Sequence, residues 1–119
     1  MYREVADNKQ AFGDWVKRAE DQQLILAFEN LNGEQETTDI DVLCDLVDSF
    51  HSTSAKVCYD TGHAHMCGHV LGRDILRLGN RLVATHIADN HGREDEHLLP
   101  FYGTIDGDAC SSPVISPTH

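Results

Sequence analysis

Apolar residues in the first third of the chain change from a helical spacing to a continuous run. Between residues 10 and 22, apolar side chains such as Phe12 and Val16 recur at helical intervals with charged residues between them, which predicts an amphipathic helix. The apolar run that follows, residues 24–28, is too short for a helix and is typical of a parallel strand buried on both faces. Glu29 comes directly after this predicted strand.

The same alternation continues in the middle of the chain. Residues 37–38, both threonine, can cap a second helix, and an apolar stripe on one face predicts that this helix runs over residues 40–51. A second short strand is predicted over residues 56–59, and Asp60 follows it. A second helix–strand unit of the same kind is therefore indicated.

A third unit follows before the pattern is lost. Residues 74–78 predict a short helix that Gly79 closes, because glycine readily adopts the conformation found just after a helix. Residues 82–88 predict a third strand with His86 near its end. From Asp89 onward the density of charge, glycine and proline predicts a loop.

Alternating helices and strands at this spacing predict βαβ units and a parallel sheet, which is an α/β fold. In such sheets the chemistry collects at the carboxyl ends of the strands. Each predicted strand carries a side chain able to bind metal at or near that end, and these are Glu29, Asp60 and His86. A glutamate, an aspartate and a histidine together suit a divalent cation with open coordination positions. Structural hydrogen bonding explains the three residues about as well from the sequence alone.

Three further residues are candidates for the same chemistry. His63 lies just past the second strand, where it can reach a metal or a substrate hydroxyl. Asp95 and His97 lie on one side of an extended segment, as a ligand pair requires, although such a pair in a charged loop is usually solvated. We expect the neighbouring His65 and His69 to be solvated loop residues.

Charge and composition narrow the classes of partner. The formal net charge of −11 opposes binding to phosphate backbones, so we expect no nucleic acid partner. There is no long apolar run and no apolar secretory signal, so we expect no membrane span and a cytoplasmic protein. The four cysteines include no CxxC pair, and Cys44 and Cys58 are predicted to be core residues.

Five short segments resemble the motifs of a known family. They are FENL at 28–31, CYDTGH at 58–63, THIADN at 85–90, DEHLLP at 95–100 and GTID at 103–106. In this order and spacing they resemble the xylose-isomerase-like TIM-barrel superfamily of sugar phosphate isomerases and epimerases, which also contains apurinic endonucleases of the endonuclease IV type. The resemblance implies a partial (β/α)8 barrel of about three parallel βα units over residues 1–107. Residues 108–119 are then expected to be a disordered or non-native tail.

The resemblance also implies roles for the candidate residues. Glu29 resembles a metal ligand that is also an acid/base, and Asp60 and His86 resemble two further ligands of a divalent ion (Mn, Mg, Co or Zn). His63 resembles a substrate contact of epimerases or a ligand of an extra zinc in nucleases. Asp95 and His97 resemble the pair that holds an additional zinc in the nuclease branch.

The family implies a metal-dependent isomerase or epimerase that moves a proton through an enediolate, with a sugar or sugar phosphate as substrate. The last metal-binding glutamate of the family is absent, so a fragment without activity of its own is expected. Gly107 stands where the pattern has Trp, and Phe101 stands where it has Gly. The alternatives are a zinc-dependent apurinic/apyrimidinic endonuclease and a non-catalytic metal-binding half-barrel. A half-barrel exposes sheet edges, through which copies of the chain could pair.

Overall fold

Three parallel strands lie side by side in the order β1-β2-β3. A computed structural model describes residues 3–107, and the side chains of residues 8–107. The strands are β1 (Leu26–Glu29), β2 (Ala55–Asp60) and β3 (Leu82–His86), and β2 pairs with both neighbours. The predicted parallel α/β architecture is therefore confirmed.

Four α-helices among residues 3–107 connect and cover the strands. Helix α1 precedes β1, α2 links β1 to β2, and α3 and α4 together link β2 to β3. Short 3-10 turns precede α2 and β3. None of the helices in this part of the chain combines the length and hydropathy that a membrane span requires. The bounds are Arg3–Asp21 for α1, Ile40–Ser49 for α2, Thr61–Met66 for α3 and Leu71–Leu78 for α4.

The core lies between the helices and one face of the sheet. Alternate residues of β2, including the fully buried Val57 and Tyr59, face the helices because successive side chains of a strand point to opposite faces. Leu43 and Leu78 are fully buried in the same core. Asp60 points to the other face of the sheet, away from this apolar layer.

The first strand is less buried than its sequence predicted. Strand β1 begins at Leu26, and the preceding Leu24 and Ile25 are 58% and 57% exposed. Burial on both faces requires a layer against each face, whereas in the described part of the chain the core covers one face of the sheet. Strand β1 is also an edge strand there. The same holds for β3, so both outer strands present an unpaired edge there, and pairing of copies through these edges stays a prediction.

The cap of α2 also differs from the prediction. The side chain of Asp39, not a threonine, caps the helix and accepts the N–H of Asp41 at 2.8 Å and that of Val42 at 3.4 Å. The two threonines belong to a 3-10 turn, Glu36–Thr38, before the helix. The carboxylate is the stronger acceptor at the positive end of a helix, which explains the difference.

The segment between β2 and β3 contains more helix than predicted. Helix α4 begins at Leu71, three residues before the predicted start, and Gly79 ends it with a φ of 52°. Helix α3 was not predicted, because its sequence has no apolar stripe. His65 therefore lies in a helix, with its Nε2 2.8 Å from the hydroxyl of Thr104.

His69 lies in the loop between α3 and α4, as predicted, but its side chain is not solvated. Its Nδ1 lies 2.8 Å from Oδ2 of Asp74, which also accepts the hydroxyl of Tyr59 at 2.7 Å. Asp74 lies in the first turn of α4, and we call these three residues the interlayer cluster. His69 is only five positions from Asp74, and packing of α4 on the sheet adds Tyr59. The prediction of a loop at His69 is therefore right, and the prediction that its side chain is solvated is wrong.

The cysteines fit their predicted place in the core. Cys44 and Cys58 are buried free thiols, and burial raises the pKa of each above its ordinary value. Cys67 is a half-buried free thiol. Cys110 and the predicted tail over residues 108–119 lie outside the described residues.

Candidate metal centre

Three polar side chains meet at the carboxyl edge of the sheet. Glu29, Asp60 and His86 are the last residues of β1, β2 and β3. Since parallel strands end at the same edge, these side chains lie together, and their candidate ligand atoms are all within 4.8 Å of one another. We call them the strand-end cluster.

An extra residue in β3 turns His86 toward this cluster. Leu82 pairs with Val57 and packs against the core, but the next residue of β2 pairs with Ala84, so Val83 is an additional residue in β3. In a regular strand Leu82 and His86 would point to the same face. The irregularity lets Leu82 enter the core while His86 faces the last residue of β2.

The cluster is tight on one side and open on the other. Nδ1 of His86 is 2.9 Å from Oε1 of Glu29 and 3.6 Å from Oδ2 of Asp60. The side chain of Asp60 is only 8% exposed, whereas those of Glu29 and His86 are 29% and 59% exposed. Solvent or a small molecule therefore reaches the cluster from the side of His86 and Glu29.

The two carboxylate oxygens of Asp60 have different partners. Oδ1 accepts the backbone N–H of His63 at 2.9 Å and so caps helix α3. Oδ2 lies 3.7 Å from Nδ1 of His63 and 3.6 Å from Nδ1 of His86. One oxygen therefore orients the side chain, and the other is free to act as a ligand.

Asn30 fixes the two carboxylates relative to each other, a role that the sequence analysis missed. This fully buried residue donates Nδ2 to the carbonyl of Asp60 at 2.9 Å and accepts the backbone N–H of Asp60 at 2.7 Å. The contact joins the residue after β1 to Asp60, the last residue of β2. A polar residue directly after a buried strand, in the FENL segment, is the signal that could have indicated it.

His63 connects the strand-end cluster to a second group of side chains. Its Nδ1 lies 2.9 Å from the carbonyl oxygen of Asn30, and a carbonyl can only accept, so Nδ1 carries the proton. Nε2 lies 3.1 Å from Oδ2 of Asp95. Burial lowers the pKa of His63, but the Asn30 carbonyl and the carboxylates of Asp60 and Asp95 outweigh it and raise the pKa overall.

Asp95 lies between two imidazoles. Its Oδ2 is 3.1 Å from Nε2 of His63 and 2.9 Å from Nε2 of His97, whose side chain is 69% exposed. Burial raises the pKa of Asp95, but the hydrogen bond to His97 and the charge of His63 outweigh it and lower the pKa overall. The structure thus brings together all six residues singled out from the sequence, as two groups joined by His63.

The donor atoms of the strand-end cluster fit a divalent cation. Two carboxylates and one imidazole are a donor set that Mn, Co or Zn accepts readily, and that Mg accepts through its carboxylates. Carboxylates held this close repel each other, and a divalent cation would offset that repulsion. The second nitrogen of His86 and both oxygens of Glu29 leave several coordination geometries open.

Comparisons with known proteins agree on the architecture. Residues 3–114 match the family model of the xylose isomerase-like TIM barrel. The uncharacterized protein y4fM of Sinorhizobium fredii (strain NBRC 101917 / NGR234) is 39% identical over 74 residues, which are 62% of this chain and 24% of that protein.

A crystal structure of a D-tagatose 3-epimerase-like protein superposes with a TM-score of 0.81 at 23% identity, over 92% of this chain and 43% of that chain. At this identity the match speaks for the fold. The chain thus spans less than half the length of either relative, which agrees with the expected partial barrel. Because the family model matches most of the sequence, the chain belongs to the xylose isomerase-like TIM barrel family.

Proposed function

We propose that this chain carries part of the active centre of a divalent-metal-dependent sugar or sugar phosphate isomerase or epimerase. The observation that carries the proposal is the convergence of Glu29, Asp60 and His86 at the carboxyl ends of three parallel strands. In barrels of this architecture those ends form the active-site face. Membership of the family and the likeness to the epimerase-like structure support the same class of reaction.

The strand-end cluster supplies the ligands and one proton-transfer group in this proposal. Glu29, Oδ2 of Asp60 and His86 would hold the ion. When bound, such an ion polarises the carbonyl and hydroxyl oxygens of a ketose, so that a neighbouring carbon-bound proton becomes acidic. Glu29 is partly exposed and would take that proton, leaving an enediolate.

The chain would provide an acid/base on only one face of the substrate carbon. Return of the proton to the other face needs a second acid/base, and the described residues place a single glutamate at a strand end. We therefore expect no turnover from the chain alone.

His63, Asp95 and His97 would contact the substrate or hold a second ion. A carboxylate oxygen flanked by two imidazole nitrogens is a donor set that zinc prefers, which favours a second candidate function. That function is a zinc-dependent apurinic/apyrimidinic endonuclease, with the net charge of −11 against it. A metal-binding half-barrel without catalysis is the third outcome.

Calorimetric titration with manganese, cobalt and zinc tests the proposal directly. We expect weak binding of a divalent ion, because three protein ligands leave positions to water, and Asp60→Ala should abolish it. Asp45→Ala, which removes an exposed carboxylate on α2, is the matched control and should leave affinity unchanged. Absence of metal binding by the wild type would refute the proposal.

Activity assays then separate the classes of reaction. A panel of ketoses and ketose phosphates, followed by chromatography with each metal, should show no detectable turnover. Cleavage of abasic-site DNA that a chelator stops would favour the nuclease. Rapid epimerisation by the isolated chain would show that another residue supplies the second acid/base.

A further inference from the structure

Two adjacent polar residues just after β3 are buried. They belong neither to the strand-end cluster nor to the second ligand group, which is formed by His63, Asp95 and His97. Asp89 is 2% exposed and Asn90 is fully buried. Burying polar groups is costly unless each is hydrogen-bonded, so the contacts of this pair show which segments it holds.

The side-chain amide of Asn90 joins two separate segments. Its Nδ2 donates to the carbonyl of Gly62 at 3.0 Å, in the first turn of α3. Its Oδ1 accepts the backbone N–H of Gly92 at 2.8 Å, in the loop that leads to Asp95. The backbone carbonyl of Asn90 also accepts the N–H of Thr104 at 2.9 Å.

These contacts lie beside the residues that form the second ligand group. Gly62 directly precedes His63, and a Cβ added at Gly62 would lie 3.2 Å from Nδ2 of Asn90 and 3.6 Å from Oδ1 of Asp95. The Asn90 amide and the Asp95 carboxylate therefore approach the same turn of α3. This close approach lets Asp95 reach Nε2 of His63 across 32 positions of sequence.

Asp89 anchors Asn90 to the segment over residues 101–105. Its carboxylate accepts the backbone N–H of Asn90 at 2.8 Å, of Phe101 at 3.0 Å and of Ile105 at 3.1 Å. A Cβ on Gly103 would overlap this carboxylate. Burial raises the pKa of Asp89, but the surrounding backbone N–H groups outweigh it and lower the pKa overall. The loop is thereby folded back onto the end of the sheet.

We propose that Asn90, anchored by Asp89, is a positioning residue that holds Asp95 in contact with His63. Asn90 is not part of the apolar core. The Nδ2 and Oδ1 atoms of its side chain bond the two segments that carry His63 and Asp95. The inference rests on the proposed function in one respect, because the proposed function assigns Asp95 and His63 to substrate contact or to a second ion. The contact itself can be measured without metal or substrate.

The test reads the imidazole rings of the metal-free protein by long-range proton–nitrogen NMR, with His63→Gln to assign His63. Asp95→Ala gives the ring signature of a lost contact, because alanine has no side-chain donor or acceptor. Asn90→Asp keeps the acceptor for Gly92 but loses the donor to Gly62, and Asn90→Ala removes both. Asn32→Ala is the matched control, because Nδ2 of Asn32 also contacts α3, at the sulfur of Met66 (3.6 Å).

We expect Asn90→Ala to move the His63 ring resonances to their positions in Asp95→Ala, Asn90→Asp to move them away from their wild-type positions, and Asn32→Ala to leave them in place. Asn90→Ala combined with Asp95→Ala should produce no further change, because one contact can be lost only once. Wild-type His63 resonances in both Asn90 variants would overturn the proposal. So would failure of both variants to fold beside a folded Asn32→Ala, since Asn90 would then serve the fold as a whole. A failure of metal binding or epimerisation would leave these spectra unchanged, so the two proposals fail separately.

Discussion

Two clusters of carboxylate and imidazole groups occupy opposite faces of β2. Tyr59 points to the helices and belongs to the interlayer cluster, whereas its neighbour Asp60 points the other way and belongs to the strand-end cluster. Both clusters contain a histidine 2.8–2.9 Å from a carboxylate oxygen. Residue types and short contacts alone would therefore not tell them apart.

The balance of donors and acceptors separates the two clusters. In the interlayer cluster one carboxylate, Asp74, receives two donors, the Tyr59 hydroxyl and the His69 imidazole. In the strand-end cluster two carboxylates, Glu29 and Asp60, converge on Nδ1 of His86. Nδ1 of His63 also lies 3.6 Å from Glu29 and 3.7 Å from Asp60, but it donates its proton to the carbonyl of Asn30 at 2.9 Å. A cluster with enough donors is complete by itself, whereas an excess of acceptors calls for a cation. The comparison thus favours a structural role for the interlayer cluster, and it supports the metal binding that we propose for the strand-end cluster.

The largest expected effect is an increase in the stability of the folded protein when a divalent metal is added. Any ligand that binds only the folded state stabilises it, by about 2.7 kcal/mol at a free concentration 100 times its dissociation constant. Cobalt in that excess should raise the melting temperature of the wild type, and Asp60→Asn should remove the increase. The measurement is thermal denaturation with cobalt and with a chelator.

Asp74→Asn is the control from the other cluster and should keep the cobalt effect in full. Loss of the effect in this variant, or its survival in Asp60→Asn, would break the distinction between the clusters.

The next effect concerns stability without metal. Asp74→Asn removes the charge to which Tyr59 and His69 donate, and we expect a loss of about 1–3 kcal/mol in the free energy of unfolding. Asp60→Asn should cost less than about 0.5 kcal/mol, because asparagine still accepts the N–H that caps α3. Urea denaturation of both variants in chelator measures the difference, and equal losses would contradict the comparison.

Much of the strand-end cluster could be predicted because its residues lie next to short apolar runs that are visible in the sequence. A short apolar run gives a strand, parallel strands end at one edge, and the first polar residue after each run lies at that edge. Glu29 and Asp60 follow from these steps without knowledge of long-range contacts, whereas His86 lies within the third run, near its end. The parallel sheet followed from the alternation of helices and strands, and the partial barrel followed from the resemblance to the family.

Features that depend on pairing between distant segments could not be predicted. The extra residue Val83 is visible only when β3 is placed against β2. The contact of Tyr59 with Asp74 depends on how α4 packs over the sheet. Phe101 adopts a φ of 75°, a conformation that glycine tolerates better, and the family pattern has glycine at this position. That departure was visible in the sequence, but its backbone geometry was not.

The smallest effect is a dependence of stability on pH that the interlayer cluster should show. The hydrogen bond to Asp74 raises the pKa of His69, burial opposes it, and the charges of Asp74 and Asp39 add to the increase. A histidine whose pKa is higher when folded binds its proton more tightly in the folded state. Its contribution is therefore fully present below its ordinary value of 6.5 and is lost as pH rises through the folded pKa.

The difference in unfolding free energy between the wild type and His69→Gln should accordingly be largest near about pH 6, roughly 1 kcal/mol, and should shrink toward about pH 8. Urea denaturation of both proteins across this range measures it, and titration of the other histidines cancels in the difference. In an Asp74→Asn background the pH dependence should disappear, because the partner that raises the pKa of His69 has lost its charge. A difference that grows with pH, or that survives in this background, would show that His69 is not held by Asp74, and the interlayer cluster would lose its structural role.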